Sequence, residues 1–592
     1  MAQVTAWDAE VDLLVAGAGP GGMAAALVGA LEGLEVMVCE KSGQIGGTAS
    51  TSAGTLWIPG NTQSRRAGYD DSPEQAEIYM DRLVGGTKGR DLRSVYLETG
   101  PAAIDYYDTR TDVQFLPCGR HPDYQQNMAG AAVTGRAIVP KPFDGRLLGE
   151  DFRLVRPPIG EFMIFGGMMV GKDDIPRLIG RFKSAANFTY SAKLFLRYLS
   201  DRLKYPRGTR ITMGNALVAR LFYSLRKRKV PIRLDTAIRE LVREDGRQDG
   251  RQDGRVIGAV VDSGGRTLRV RTRKGVVLAT GGFAHNRAFR QAFMPQPVPV
   301  HSLACETDTG DGLTLAQAAG AKIDSEQHRG GAFWTPVSVT RRTGNWRGLF
   351  PHLALDRAKP GLIAVNAAGR RFVNEGASYH DFVEAMFDSH KLVPTMPAWL
   401  ICDSAFVAKY GLGVVHPGTR NLAPHEKSGY LTTAPTLEEL ARKIGVDPAG
   451  LADSVRRHNG FARTGSDLDF GKGDSELNRF NGDPENKPNP CLKPIEAAPF
   501  VAVAVWPAEI ACSAGLATDA DGQVLGQSGD PIQGLYACGN DMASIMAGTY
   551  PGPGTTLGPA LVFAYRVAMH AAGKSDAVGK AMAGREERAA AR

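Results

Sequence analysis

No apolar run in this 592-residue chain reaches the about 18 residues that a membrane-spanning helix needs. Cysteine is scarce. The seven, at positions 39, 118, 305, 402, 491, 512 and 538, are scattered and include no C-x-x-C pair, which argues against a disulfide framework or a thiolate zinc site. Eleven histidines show no H-E-x-x-H or similar ligand spacing, so no metal site is expected. Met1 to Glu10 lacks the basic-then-apolar pattern of a secretory signal, and a reduced, cytoplasmic setting is expected. Excess charge is missing from most of the chain as well. The net charge is +8 and the pI about 9.0. Residues 151–230 hold 17 Lys and Arg against 5 Asp and Glu, a local +12, which leaves −4 for all the rest. A nucleic-acid partner spread over the surface is therefore not expected. A hydrophobic fraction of 43% is too high for a disordered chain, and the length suffices for two or more domains.

What the chain has in quantity is glycine, 71 residues, and their placement is informative. Val11 to Ala16 reads as a short buried strand. Gly17-Ala-Gly19-Pro20-Gly21-Gly22 follows at once, then a helix through Leu31, then a strand Glu35 to Cys39 ending at Glu40. This is a G-x-G-x-x-G loop in its full strand–helix–strand setting. Gly17 allows the tight turn, Gly19 lets the backbone approach a pyrophosphate at the helix N-terminus, and Gly22 permits close packing. Glu40 stands where a carboxylate holds ribose hydroxyls. A dinucleotide is expected.

FAD suits the remaining clusters better than NAD. Lys41 leads into Gly46-Gly47-Thr48, and Ser52-Ala53-Gly54 follows; small residues there can wrap a second phosphate, a ribityl chain and a ring. Gly275 to Thr280-Gly281-Gly282 is a buried strand running into a glycine turn, and Gly534 to Gly539-Asn540 repeats that logic. Gly554 to Tyr565 opens a helix whose dipole would favour negative charge on a flavin edge.

These segments together resemble the fumarate reductase and succinate dehydrogenase flavoprotein superfamily, and within it the bacterial 3-ketosteroid Δ1-dehydrogenases. The resemblance lies in the stretch Gly46 to Asn61, in Pro122-Asp123-Tyr124, Lys141 to Arg146, Gly369 to Tyr379, Phe470 to Ser475 and Gly548-Thr-Tyr550-Pro-Gly-Pro-Gly554. It implies an α/β fold with a discontinuous Rossmann-like FAD-binding domain and an inserted α+β substrate domain. Noncovalent FAD is expected, because no His suited to attachment lies near Gly46-Gly47. The implied chemistry removes a C2 proton to a tyrosine base while a C1 hydride goes to flavin N5. The resemblance puts the base at Tyr379, a helper tyrosine at Tyr124, and the donors to the C3 carbonyl at the Tyr550 hydroxyl and the Gly554 N–H. A proton beside a ketone becomes acidic only if the enolate oxygen is stabilised, so two aimed donors are needed. Gly554 is expected to leave room for that oxygen, with Pro551 and Pro553 stiffening the turn. The resemblance also implies cofactor contacts at Ala237, Asp311 and Leu557.

Other signals point elsewhere or nowhere. Tyr223-Ser-Leu-Arg-Lys227 fits a Y-x-x-x-K pattern too short to carry weight. Ile510 to Gly515 lacks the His-bearing pattern of fumarate enzymes. The alternatives kept open are a Δ4-(5α) desaturation and a non-catalytic flavin protein that docks on membranes. The electron acceptor is expected to be quinone-like or a protein. Expected domain segments are 1–150, 215–328 and 506–592 for FAD, 329–505 for substrate, and 151–214 as a basic apolar insertion. Within the last, Ile175 to Tyr205 mixes apolar and cationic residues at helical spacing, with breaks near Gly180 and Asn187. One reading is a helix docked on the body. The other is peripheral contact of 160–205 with an anionic membrane, at its inner face. The repeat Asp245 to Arg255 reads as an exposed hairpin tip.

Overall fold

The computed structural model describes residues 6–575, apart from 87–88, 172–173, 245–246, 249–250, 253, 327–329 and 344–346. Two sheets organise it. In the first, Ala9–Ala16 lies between Val36–Cys39 and Arg266–Leu278, parallel to both, and Pro531–Ala537 pairs parallel with the end of Arg266–Leu278. Strands buried on both faces need continuous apolar runs, and Leu13, Leu14, Val15, Val276, Val277 and Leu278 are all buried. Helices Pro20–Leu31 and Leu557–Ala571 pack against each other. The glycine turns at 17–22, 280–282 and 539–540 all follow the C-terminal ends of parallel strands, where an open α/β sheet forms its binding crevice.

Thr236–Arg243 and Val256–Ser263 form the expected antiparallel hairpin. Its tip at 245–246, 249–250 and 253 lies outside the described residues.

The second sheet is built on Phe500–Cys512, which pairs with Ala332–Val339 on one side and Ala398–Asp403 on the other. That strand runs across the boundary drawn at 505/506, so this sheet extends further along the chain than its assigned segment. His301–Ser302 also joins it from the segment given to FAD. Helix Tyr379–His390 packs on Ala332–Val339, and Trp334 N–H donates to His380 Nδ1 at 3.2 Å. Ser378 caps the helix through its hydroxyl, so the chain enters the helix at Tyr379 in a fixed direction.

The basic insertion forms a short helix Asp174–Ile179 and a longer one Ala185–Arg202. The break falls at 180–184, and Ser184 caps the second helix.

Candidate active site

The dinucleotide cradle is read from its glycines. A Cβ on Gly17 would sit 2.3 Å from Ala279 O, and one on Gly22 2.0 Å from Gly17 O, so both positions exclude any side chain. By contrast Gly19 and Gly539 face open space, with nothing within 4 Å. That contrast is what a pyrophosphate cradle requires: two glycines for packing, others for backbone laid bare to a ligand. The helix Pro20–Leu31 begins at Gly19 with no side-chain cap, leaving the Gly21 and Gly22 N–H groups free of one.

Glu40 is buried. Its Oε2 accepts from Ala18 N (2.8 Å) and its Oε1 from Ser42 N (2.9 Å). Each oxygen keeps a second lone pair for a ribose hydroxyl. Beyond it, Lys41 pairs with Asp311 at 2.7 Å. A cavity of about 350 Å³ is lined by Lys41, Ala237, Asp311 and the acidic residues Asp235 and Asp262. Gly46, Gly47, Thr48, Ser52, Ala53 and Gly54 form one 3-10 turn and its exit, running beside the helix Met213–Lys227.

Two buried aspartates, which the sequence did not flag, tie the cradle together. Asp541 accepts from Thr280 N (2.5 Å), Thr280 Oγ1 (3.0 Å) and Gly282 N (3.0 Å), joining the Thr280-Gly281 turn to Gly539-Asn540. Asp308 accepts from Thr48 Oγ1 at 2.7 Å, and burial pushes its carboxyl up to about 7. A narrow cavity is lined by Phe333, Asn540, Ser544, Ile545 and Thr556, beside the start of the helix that Leu557 opens, and its Phe333 packs against Tyr550. Packing glycines, bare backbone and a cavity at each end fit FAD.

At the far end three tyrosines meet. Tyr379 OH donates to Tyr550 OH at 2.9 Å, and Tyr124 OH donates to Tyr379 OH at 3.4 Å. The Tyr124 and Tyr550 rings stack with centroids 5.5 Å apart, and Tyr379 stands edge-on to both. Burial raises the Tyr379 hydroxyl well above the ordinary tyrosine range, and the charge and the hydrogen bond of Tyr124 both add to this. The Tyr550 hydrogen bond and the Arg357 charge oppose it. Because Tyr124 and Tyr379 share a hydrogen bond, they ionise as a pair rather than independently.

Gly554 is close by, but its glycine serves another purpose than expected. Its φ is +97°, and a Cβ would sit 2.4 Å from Thr55 O and 2.6 Å from Leu56 Cα. The missing side chain lets the turn pack on the Thr55-Leu56 backbone; the direction a Cβ would take is not the direction of a ligand. Among the described residues the Gly554 N–H has no acceptor, while its carbonyl accepts from Trp57 and Gly558.

Sequence reasoning missed the scaffold behind this trio. Tyr79 OH donates to Pro551 O (2.7 Å) and accepts from Gln125 N (3.1 Å), bridging the two tyrosine-bearing turns. Tyr124 N donates to the same Pro551 carbonyl at 2.8 Å. Asp123 is fixed by Trp57 Nε1 (2.7 Å) and by Arg136, at 2.6 Å. Only Pro-Asp-Tyr in sequence hinted at a turn here.

Residues 12–557 match the model of the FAD binding domain family. The chain is 38% identical to the 4-oxocyclohex-2-ene-1-carboxylate 5-dehydrogenase of Sinomonas cyclohexanicum, over 94% of this chain and 92% of that protein. It is 34% identical to the 3-oxosteroid 1-dehydrogenase of Mycolicibacterium smegmatis, over 95% and 97%. Among solved structures, the 3-ketosteroid Δ1-dehydrogenase of Sterolibacterium denitrificans in complex with 1,4-androstadiene-3,17-dione superposes with a TM-score of 0.87 at 36% identity, covering 95% of this chain and 99% of that one.

Proposed function

The chain belongs to the FAD binding domain family and is a relative of the 3-oxosteroid 1-dehydrogenases, and from that premise we propose that it introduces a double bond between C1 and C2 of a 3-ketosteroid. FAD is its cofactor, held noncovalently. The observation that carries the reading is the contact of the Tyr379 hydroxyl with Tyr550 (2.9 Å) and Tyr124 (3.4 Å) at the end of the cofactor cleft.

Each residue then has a task. Bound FAD supplies the acceptor for the hydride that leaves C1. Tyr379, once ionised, takes the proton from C2. Tyr124 donates to the Tyr379 oxygen and holds it in line. The Tyr550 hydroxyl, freed from Tyr379 when a ketone arrives, donates to the C3 oxygen beside the unpartnered Gly554 N–H. Two donors meeting one oxygen stabilise the enolate as it forms. Phe333 packs edge-on against Tyr550, with ring centroids 5.4 Å apart, and helps keep the site dry. The electrons leave to a quinone-like or protein acceptor.

A second reading has support from the relative that acts on 4-oxocyclohex-2-ene-1-carboxylate: the same chemistry on a small ring ketone. A carboxylated substrate calls for a cation to receive it. The buried cation beside the tyrosines, Arg357, spends its donors on backbone carbonyls, which favours the uncharged steroid. Comparing kcat/KM decides. A 3-ketosteroid should exceed 4-oxocyclohex-2-ene-1-carboxylate by at least about 10²-fold, since apolar area buried on binding supplies the difference. The reverse order would assign the small ring ketone.

We also infer that 160–205 rests on an anionic lipid surface. Among the described residues no helix is long and apolar enough to cross a membrane. The insertion nevertheless turns its apolar side outwards. Leu203 is 90% exposed, Phe182 79% and Phe165 66%, with Ile179, Phe188, Leu196 and Leu199 also exposed. Its inner side is polar: buried Asp201 accepts from Arg146 and from Thr209 N (2.8 Å). Phe165 has a φ of +51° at the hairpin Met163–Met169, so a bulky residue is held outwards at a turn that suits glycine. Arg177, Arg181, Lys193 and Arg202 of the same segment are exposed as well. Each apolar side chain that leaves water contributes up to about 1.5–3 kcal/mol, and each cation near anionic lipid about 1 kcal/mol. Vesicles containing anionic phospholipid should bind the protein and release it at high salt. The double variant Phe182→Glu, Leu203→Glu should bind at least about 10²-fold more weakly. Unchanged binding by that variant would remove the assignment.

A further inference from the structure

A buried cation stands where a helix least favours one. Arg357 is 2% exposed. Its Nε donates to His352 O (2.7 Å), its Nη2 to Leu353 O (2.9 Å), and its Nη1 to the carbonyls of Glu375 (2.8 Å) and Ala377 (3.1 Å). The guanidinium carbon lies 5.1 Å from the Phe382 ring centroid. Ala377 precedes the cap Ser378, and Phe382 sits one turn into the helix that starts at Tyr379. The charge therefore rests against the positive end of that helix, where the macrodipole opposes it. No carboxylate among the described residues reaches ion-pair distance of this guanidinium. Burial disfavours its charge, against the charges of Asp356, Tyr124, Glu375 and Asp381, but a guanidinium stays protonated across the working pH range. A buried charge with no ion-pair partner is expensive, so its retention calls for a role.

The neighbouring carboxylates are engaged elsewhere. Glu375 pairs with Arg371 (2.8 Å) and Lys472 (3.3 Å). Asp381 accepts from Gln125 Nε2 at 2.6 Å, and burial raises its carboxyl, which weakens it as a counter-charge. His380 faces Glu384 at 3.2 Å on the helix itself. Asp356 binds His352 (2.6 Å), which binds Ser338 (2.8 Å), which binds Tyr430 (2.8 Å). That Ser–His–Asp chain has the spacing of a hydrolytic triad, but Ser338 is 1% exposed and already shared with Tyr430, so it takes no substrate. It stiffens the 352–357 turn from which Arg357 projects.

We propose that Arg357 is a positioning residue for the base: its guanidinium holds the turn that delivers Tyr379, and its unpaired charge favours the ionised form of the Tyr124–Tyr379 pair. The inference rests on the reading of Tyr379 as the base. It goes beyond that reading by naming what opposes the penalty of a buried tyrosinate.

The test uses the holoenzyme with Arg357→Gln, Arg357→Lys and Asp356→Asn. Two quantities are read against pH: the anaerobic rate of flavin bleaching by a 3-ketosteroid, and the ultraviolet difference titration of tyrosinate, with Tyr379→Phe as the blank. Arg357→Gln should keep its FAD and its KM. Its apparent pKa should rise by about one unit, which lowers the rate near neutrality about tenfold. Arg357→Lys should keep the parent pKa but lose rate, because an ammonium cannot hold four carbonyls in the guanidinium geometry. Asp356→Asn removes an opposing charge and should move the pKa down. An unmoved pKa in Arg357→Gln by both readouts overturns the proposal; if that variant does not fold, an unmoved pKa in Asp356→Asn does so. If no ring ketone bleaches the parent flavin, the catalytic reading fails, whereas the tyrosinate titration still reports whether Arg357 acts on Tyr379.

Discussion

Tyr379→Phe is expected to retain FAD and to bleach it with a 3-ketosteroid about 10²–10⁴-fold more slowly than the parent protein, the range for losing a general base. Little else should change. The ring keeps its edge-on packing against Tyr124 and Tyr550, with centroids at 5.5 and 5.3 Å, because only an oxygen is removed. The parent should show a matching pH dependence. Burial raises the Tyr379 hydroxyl, so the base is mostly protonated at neutrality and its active form grows with pH. The rate should therefore climb about tenfold per pH unit above neutrality, up to the apparent pKa of the pair. A bleaching rate in Tyr379→Phe within a factor of about three of the parent, or a flat profile in the parent, would assign the proton abstraction to another group.

Tyr550→Phe should cost about 10²–10³-fold in kcat, the penalty for losing one donor to a developing oxyanion. The geometry adds a second consequence. The Tyr550 hydroxyl lies 2.9 Å from that of Tyr379, and this contact favours Tyr379 ionisation. Removing it should also shift the pH profile of kcat/KM, which reports the empty site, upwards. A carbonyl donor alone would lower kcat without moving the profile, and a partner of the base alone would move the profile without altering the fully ionised rate. Both effects together mark a hydroxyl that serves the base in the empty site and the ketone in the occupied one. Measuring kcat and kcat/KM at several pH values separates them, because kcat/KM reports the empty site and kcat the occupied one.

Local order made the nucleotide half legible. The strand, Gly17 to Gly22 and Glu40 lie within one strand–helix–strand unit, and the structure gives Ala9–Ala16, Pro20–Leu31 and Val36–Cys39 in their places. The tyrosine site was not legible in that way. Tyr124 and Tyr379 are 255 positions apart and Tyr379 and Tyr550 171, so no spacing rule joins them, and only a family resemblance brought them to attention. Arg357, Tyr79, Asp308 and Asp541 carried no signal, because a buried charge or hydroxyl is defined by its partners from distant segments. Gly554 was singled out for room towards a ligand, yet its Cβ direction meets Thr55 and Leu56. The insertion had the opposite history. Its composition was plain in the sequence, but whether the apolar face turned inwards depended on what packs beneath it. Polar anchors such as Asp201 occupy the inner side and leave the apolar side exposed.

The most direct measurement is product identification after anaerobic turnover, with the flavin as the only oxidant. A saturated-ring 3-ketosteroid offers two sites of desaturation, and proton NMR of the product distinguishes them. The account predicts stoichiometric bleaching of the flavin and vinylic protons at C1 and C2. A product carrying the double bond at C4, or a flavin that stays oxidised with every ring ketone, would contradict it.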